Sequence, residues 1–273
     1  MLGVRFGEVR GAGFMIYENI IYSVDENIAT IRINRPKAYN ALNTAVNAEI
    51  LSALDEIEAD KSVRALVVTG NEKAFAAGAD IGELADASPN RSREICVAAL
   101  EINDRLEQMD IPTIAAVNGL AWGGGGEMAL ACDFRTGGAG TSFKFPEVSL
   151  GIIPGANGTQ RLLALVGPAK AKELVMLCRA VKGEEAYRLG LLTRLVDDAE
   201  VLDEAYKLAG ELTAMPGKAL TAAKRAINAG MLNTIADGKK TECFEVCMLF
   251  DTHDQKEGMA AFAEKRPPAY TNS

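Results

Sequence analysis

The chain is 273 residues long, 48% hydrophobic and 24% charged, with a formal net charge of −8. That much apolar sequence can bury a sizeable core and excludes a largely disordered protein. An acidic balance with no basic block argues against a nucleic-acid surface, and no apolar run is long enough to span a membrane.

In chain order, residues 1–14 mix charges into an apolar background too short for a secretory leader and are read as an extension outside the fold. The segments "IYENIIYSV" and "NIATIRIN" are β-rich runs separated by "DEN", which predicts a hairpin. A helix is predicted from about Thr44, with Val46, Ile50, Ala53, Leu54 and Ile57 on one stripe. "RALVVTG" predicts a strand buried on both faces, and "NEKAFAAGADIGEL" an irregular segment rich in small residues. Residues 92–109 predict a helix with Ile95, Ala99, Ile102, Leu106 and Met109 in register. "IPTIAAVNG" reads as the next strand, and four glycines, Gly123 to Gly126, open the helix after it. "FRTGG" and "SFKFPE" read as short strands, "LGIIPGANGTQRLLALVG" as a loop and helix, and the chain from Pro168 as mainly helical with one strand near "TRLV". No Pro/Ser/Gly-rich linker divides the chain. The expected architecture is an α/β core over residues 15–198, followed by a helical region over 199–273 that lacks a core of its own and packs on a neighbour.

Five cysteines (Cys96, Cys132, Cys178, Cys243 and Cys247) lie mostly in apolar helical patterns. They are read as buried thiols of a reducing compartment, and the chain as cytoplasmic. The single histidine, His253, sits beside a predicted helix start, where capping or surface exposure accounts for it. Serine–histidine and cysteine–histidine nucleophile schemes therefore have almost nothing to work with. Acid–base chemistry must come from carboxylates, lysines or tyrosines.

The four glycines admit more than one reading. A flexible linker does not fit between a buried strand and an apolar helix. Gly124 to Ala129 matches G-x-G-x-x-A, with Glu147 as the acidic residue downstream, so a dinucleotide-binding turn stays open, although no clean strand ends at Glu147. In the third reading, adjacent glycines at a helix start leave amide N–H groups free to stabilise an oxyanion, with Glu127 beside the developing charge. Glu127 taken alone is explained as a first-turn carboxylate favourable to the helix dipole. A second carboxylate, Glu147, precedes another glycine-bearing loop, and "AFAAGADIGEL" offers a second turn of small residues. Two carboxylates, two exposed backbone turns and no histidine nearby suggest acid–base chemistry next to a carbonyl.

The motifs "INRPKAYNAL", "KAFAAGADIGEL", "IAAVNGLAWGGGGEMALACD", "FPEVSLGIIPGANGTQRL" and "AFAEKRPP" occur in this order between Tyr17 and about Pro268. In these stretches the chain resembles the crotonase (enoyl-CoA hydratase/isomerase) superfamily, most of all bacterial short-chain enoyl-CoA hydratases. The resemblance implies a crotonase-like ββα superhelix with a C-terminal helical oligomerisation region, and trimers that pair into hexamers. It implies hydration of a trans-2-enoyl-CoA in fatty-acid or related acyl-CoA metabolism; the alternative is an enoyl-CoA isomerase or other enolate-stabilising member, and behind it a non-catalytic RNA-binding relative. The N–H groups of Ala79 and Gly124 would hold the thioester oxygen, and Glu127 and Glu147 would serve as the acid–base pair. Coenzyme A contacts would come from Arg35, Lys37, Ala38, Ala77, Asp80, Ile81 and Gly82, with Phe262 and Lys265 supplied by a neighbouring subunit. The only coenzyme A would be that of the acyl-CoA thioester substrate itself; no separate cofactor, metal, nucleic acid or membrane is implied. The chain departs from the family pattern at Lys144 and Phe145 (in place of a Gly-Gln pair), Trp122, Gly82 (in place of lysine) and Asn157.

Overall fold

The structure, a computed structural model, describes residues 17–273; the extension expected over residues 1–14 lies outside the described residues. The chain begins with strands β1 (Ile20–Asp25) and β2 (Ile28–Ile33), paired antiparallel as Ile20 with Ile33 through Asp25 with Ile28. Helix α1 (Thr44–Ala59) follows, capped by Asn43, whose side-chain oxygen accepts from Val46 N.

A repeating unit then sets the architecture. Strand β3 (Ala65–Thr69) joins one sheet, β4 (Ala74–Ala76) joins a second, and the short α2 (Ile81–Leu84) and the long α3 (Pro89–Gln108) complete the turn. Strands β5 (Thr113–Val117) and β6 (Leu120–Trp122) divide between the sheets in the same way before α4 (Gly124–Ala131). So do β7 (Phe134–Gly137) and β8 (Ser142–Lys144) before α5 (Gly158–Met176), which is broken where Gly167 takes φ +74° ahead of Pro168. Then come β9 (Val181–Lys182), α6 (Gly183–Arg188) and β10 (Arg194–Leu195). The result is a six-stranded sheet in the order β1-β2-β3-β5-β7-β10 and a four-stranded sheet in the order β4-β6-β8-β9. Four helices end the chain: α7 (Val201–Thr213), α8 (Gly217–Leu232), α9 (Ile235–Leu249) and α10 (His253–Glu264).

The larger sheet is covered on both faces, which is why its central strands read as unbroken apolar runs. Leu66, Val68, Ala115 and Val117 point into the main core with α1, α3 and α4, while Ala65, Val67, Ile114 and Ala116 alternate to the other face against Val201, Ala205, Leu208 and Ala209 of α7.

Three differences from the expected elements have physical reasons. The segment expected to be irregular contains β4, and "NGLAW" contains β6. Both are three-residue strands of the smaller sheet, too short to show a period. Strand β9 escaped notice for the same reason. Of the cysteines, only Cys132 is buried; Cys96 and Cys178 are half-buried, and Cys243 and Cys247 are exposed on α9. Helix α9 packs on α8 and turns its remaining apolar side chains outward, so an apolar pattern there does not mean a core.

Candidate active site

A cavity of about 730 Å³ opens between the smaller sheet, α3 and the loop after β8. It gathers Ala77 to Ala79, Gly123, Gly124, Glu127 and Glu147, all from segments singled out in the sequence. A larger cavity of about 1000 Å³ lies between α1, α3 and the start of α8. Its Arg105 is already paired with Asp55 and Glu58, and it holds no buried acid–base pair.

The glycine run is where two backbones touch. Gly123 has φ +48°, and a methyl group in place of its hydrogen would stand 2.7 Å from Glu147 Oε1. One on Gly125 would stand 2.1 Å from Ala76 O, so α4 can lie on β4 only without a side chain there. The N–H of Gly124 opens α4 and has no intrahelical acceptor, at the positive end of the helix dipole. Across from it, Leu42 N donates to Gly78 O at 2.8 Å and Asp80 N donates to Leu42 O at 3.0 Å. This alternation turns the Ala79 N–H away from Leu42. Among the described residues neither the Ala79 nor the Gly124 N–H has a hydrogen-bond acceptor. A methyl on Gly124 would stand 3.7 Å from Ala79 N and 4.0 Å from Glu127 Oε2, which fixes how closely two donors and one carboxylate converge.

The two carboxylates differ in their surroundings. Glu127 is 3% exposed. Its Oε1 accepts from Ala156 N at 2.9 Å and Gly158 N at 2.8 Å, which leaves Oε2 toward Gly124. Burial pushes its pKa up, while those two amides and the Arg161 guanidinium pull it back. Glu147 is 9% exposed, with Oε2 buried and without a partner. Burial, reinforced by the charge of Glu127, raises its pKa to about 7. One carboxylate is thus held by two amides of another loop, while the other keeps one oxygen without a partner, an arrangement that separates a base from an acid.

The loop that grips Glu127 is itself anchored by residues the sequence reading passed over. Asn103 Nδ2 donates to Ala156 O at 3.0 Å, and Arg161 donates to the same carbonyl at 3.2 Å. Arg161 is 5% exposed and pairs with the buried Glu107 at 3.0 Å. An arginine on an amphipathic helix reads as a solvated charge, so only its buried partner reveals it. Arg161→Met is expected to cost about 3–5 kcal/mol by stranding Glu107 without its counter-charge. It should also move the Glu127 limb of a pH–rate profile upward, since a pKa-lowering cation is gone. Urea titration and pH profiling check the two effects.

The remaining expected residues fall into two groups. Arg35 pairs with Asp80 at 3.1 Å and donates to Ala41 O, and Ala77 N donates to Tyr39 O at 3.1 Å. These bonds tie the turn over residues 35–41 to the segment 77–80; of the expected contacts, Ala77 and Ile81 line the cavity, whereas Arg35, Lys37, Ala38, Asp80 and Gly82 do not. Lys37 is exposed and Gly82 N donates to Asp80 Oδ1 at 3.0 Å. Phe262 and Lys265 are elsewhere: no residue of α10 lines the cavity, and Phe262 is 87% exposed.

The sequence departures are accommodated locally. Phe145 is buried against Gly126, and Lys144 Nζ lies 4.9 Å from the centre of the Trp122 ring. Trp122 Nε1 donates to Ser142 Oγ at 3.2 Å. Asn157 adopts φ +70°, a conformation asparagine tolerates better than most residues.

Comparison with known proteins follows the same outline. The family profile described as "Enoyl-CoA hydratase/isomerase" matches residues 23–273. The crotonyl-CoA hydratase of Syntrophomonas wolfei is 43% identical over 253 residues, covering 92% of this chain and 97% of the relative. The short-chain-enoyl-CoA hydratase of Clostridium acetobutylicum is 41% identical over 255 residues, 92% of this chain and 97% of its own. A crystal structure of an enoyl-CoA hydratase from Bacillus anthracis superposes with a TM-score of 0.89 at 35% identity, over 94% of this chain and 100% of that one.

Proposed function

This chain belongs to the enoyl-CoA hydratase/isomerase family, and from that premise we propose that it is an enoyl-CoA hydratase, a hydro-lyase that adds water reversibly across the double bond of a 2-enoyl-CoA. The observation that carries the reading is the convergence of two unpartnered amides with two buried carboxylates in one cavity. A thioester oxygen accepting from Ala79 N–H and Gly124 N–H would take up the enolate charge as water adds. Glu127 Oε2, ionised, would remove a proton from the water attacking C3. Glu147, protonated, would supply a proton to C2. The proton on Glu127 then returns to Glu147 by exchange with water, which restores the starting state.

This assignment gives the same pH limbs in both directions, because hydration and dehydration start from tautomers that share one proton between Glu127 and Glu147. With the Glu147 pKa near 7, hydration kcat/KM falls about tenfold per pH unit above that value, as the proton donor is lost. Dehydration of the 3-hydroxyacyl-CoA needs that proton on Glu127 instead, and falls by the same factor above the same value, since the equilibrium constant of a proton-neutral reaction cannot change with pH. The deciding assay follows loss of enoyl absorbance with crotonyl-CoA, alongside a 3-enoyl-CoA. Turnover of the 3-enoyl ester with none of crotonyl-CoA would overturn the reading in favour of an isomerase.

Arg35, Lys37, Ala38, Ala77, Asp80, Ile81 and Gly82 would receive the coenzyme A portion of the substrate. Phe262 and Lys265 would meet that portion in a neighbouring subunit, within trimers that pair into hexamers. What supports assembly is the run of exposed apolar side chains on the last three helices, among them Ile227, Ile235, Phe244, Phe250 and Phe262. Sedimentation at a multiple of three protomer masses is the expected result. No described helix is long and apolar enough to cross a membrane. The free thiols accord with the reducing conditions of a cytoplasmic enzyme.

A further inference from the structure

Helix α1 carries one residue that does not belong on its buried face. Val46, Ile50, Ala53, Leu54 and Ile57 form the apolar stripe, and Asn47 lies among them, 4% exposed. Its Oδ1 is buried without a hydrogen-bond partner, and its side chain makes no hydrogen bond to any described residue. An unpaired buried amide is destabilising, and a leucine of the same branched shape would meet no such cost. Asn47 is also one of the residues that line the catalytic cavity.

The wall around it is mixed in the same sense. Ser92 and Cys96 lie one turn apart on α3 and both line the cavity, interspersed with Leu84, Ile95 and Ala99. Neither the Ser92 hydroxyl nor the Cys96 thiol has a hydrogen-bond partner among the described residues. Among the described residues the only charged groups lining the cavity are Glu127 and Glu147, and none of the lysines, arginines or the histidine lines it. A carboxylate on the acyl chain would therefore be desolvated beside two acids with no counter-charge. A neutral group that both donates and accepts is matched by a carboxamide, whichever way the amide is turned.

We propose that Asn47 makes the acyl end of this cavity selective for a chain bearing a neutral hydroxyl beyond the reacting double bond, in preference to the plain hydrocarbon of equal length. The proposal rests on the hydratase reading for where the thioester sits, so its test is made by binding rather than turnover. Saturated acyl-CoA esters of equal length, with and without a terminal hydroxyl, are titrated calorimetrically against the full chain and against Asn47→Leu. The expected result is about tenfold tighter binding of the hydroxylated ester by the unaltered protein, the net worth of one hydrogen bond, and no preference in Asn47→Leu. Leucine completes the stripe, so the variant should melt at or above the temperature of the unaltered protein. Asn47→Gln, which keeps the amide but displaces it, should retain part of the preference. Equal binding of the two esters by the unaltered protein, or a preference that survives in Asn47→Leu, overturns the proposal. So does a lower melting temperature of Asn47→Leu with both esters weakened alike, which would make Asn47 a packing residue. Crotonyl-CoA turnover, measured separately, judges the hydratase reading whatever the titrations give.

Discussion

Glu127→Gln is expected to lower kcat for hydration by about a hundred- to ten-thousandfold, with KM for the enoyl-CoA little changed. The reason is local. Oε1 accepts from both Ala156 N and Gly158 N, and a glutamine oxygen can accept the same two bonds, so the loop and α4 keep their geometry. Only the atom at the Oε2 position changes, from a proton acceptor to an amide that cannot take a proton from water. Glu147→Gln should be as damaging, because an amide cannot serve as the acid that protonates C2. Steady-state kinetics on crotonyl-CoA, with acyl-CoA binding measured in parallel, separate these effects. Near-normal turnover in either variant would remove the two-carboxylate mechanism.

The same substitutions carry a stability signature of opposite sign. Glu147 has a folded-state pKa near 7 against an ordinary value of 4.5. The native state therefore keeps its proton to higher pH than the unfolded chain does. Its contribution is favourable below the unfolded pKa and is lost as pH rises from about 4.5 through 7. Glu147→Gln removes this titration, so its melting temperature should exceed that of the unaltered protein at pH 8, with the gain gone at pH 4. A residue whose removal stabilises the fold while abolishing turnover is kept for chemistry.

How far the sequence could be read follows from what each signal depends on. Strands β3 and β5 were legible because burial on both faces makes their composition uniformly apolar, and α1 because its apolar stripe repeats at helical spacing. Strands β4, β6 and β9 were not, because two or three residues carry no period and only pairing across the smaller sheet makes them strands. Glu127 and Glu147 stood out through their glycine and proline neighbours. Asn47, Asn103 and Arg161 did not, since a polar residue on a helix reads as solvated until its burial is known. What the sequence could not supply was which of two chemically identical carboxylates is gripped by another loop and which keeps an oxygen without a partner. That difference lies in the Ala156–Gly158 backbone, far from Glu127 in the chain.

Gly124→Ala is expected to give the sharpest separation of activity from folding. The added methyl would meet Leu42 Cδ1 at 3.6 Å, Ala79 N at 3.7 Å and Glu127 Oε2 at 4.0 Å, all ordinary contacts. Nothing need shift to admit it, and alanine loses less conformational freedom on folding than glycine does. The melting temperature should therefore hold or rise. Yet the methyl occupies the space on which the two free amides converge, where the thioester oxygen must sit to accept from both. Losing one such donor costs about 2.7–4 kcal/mol of transition-state stabilisation, or roughly a hundred- to a thousandfold in kcat. Gly125→Ala, one residue along, is the control: its methyl would lie 2.1 Å from Ala76 O, so this variant should fail by misfolding instead. Thermal melts and crotonyl-CoA kinetics on the pair test the assignment together. A Gly124→Ala protein that is both folded and fully active would show that the oxyanion is held elsewhere.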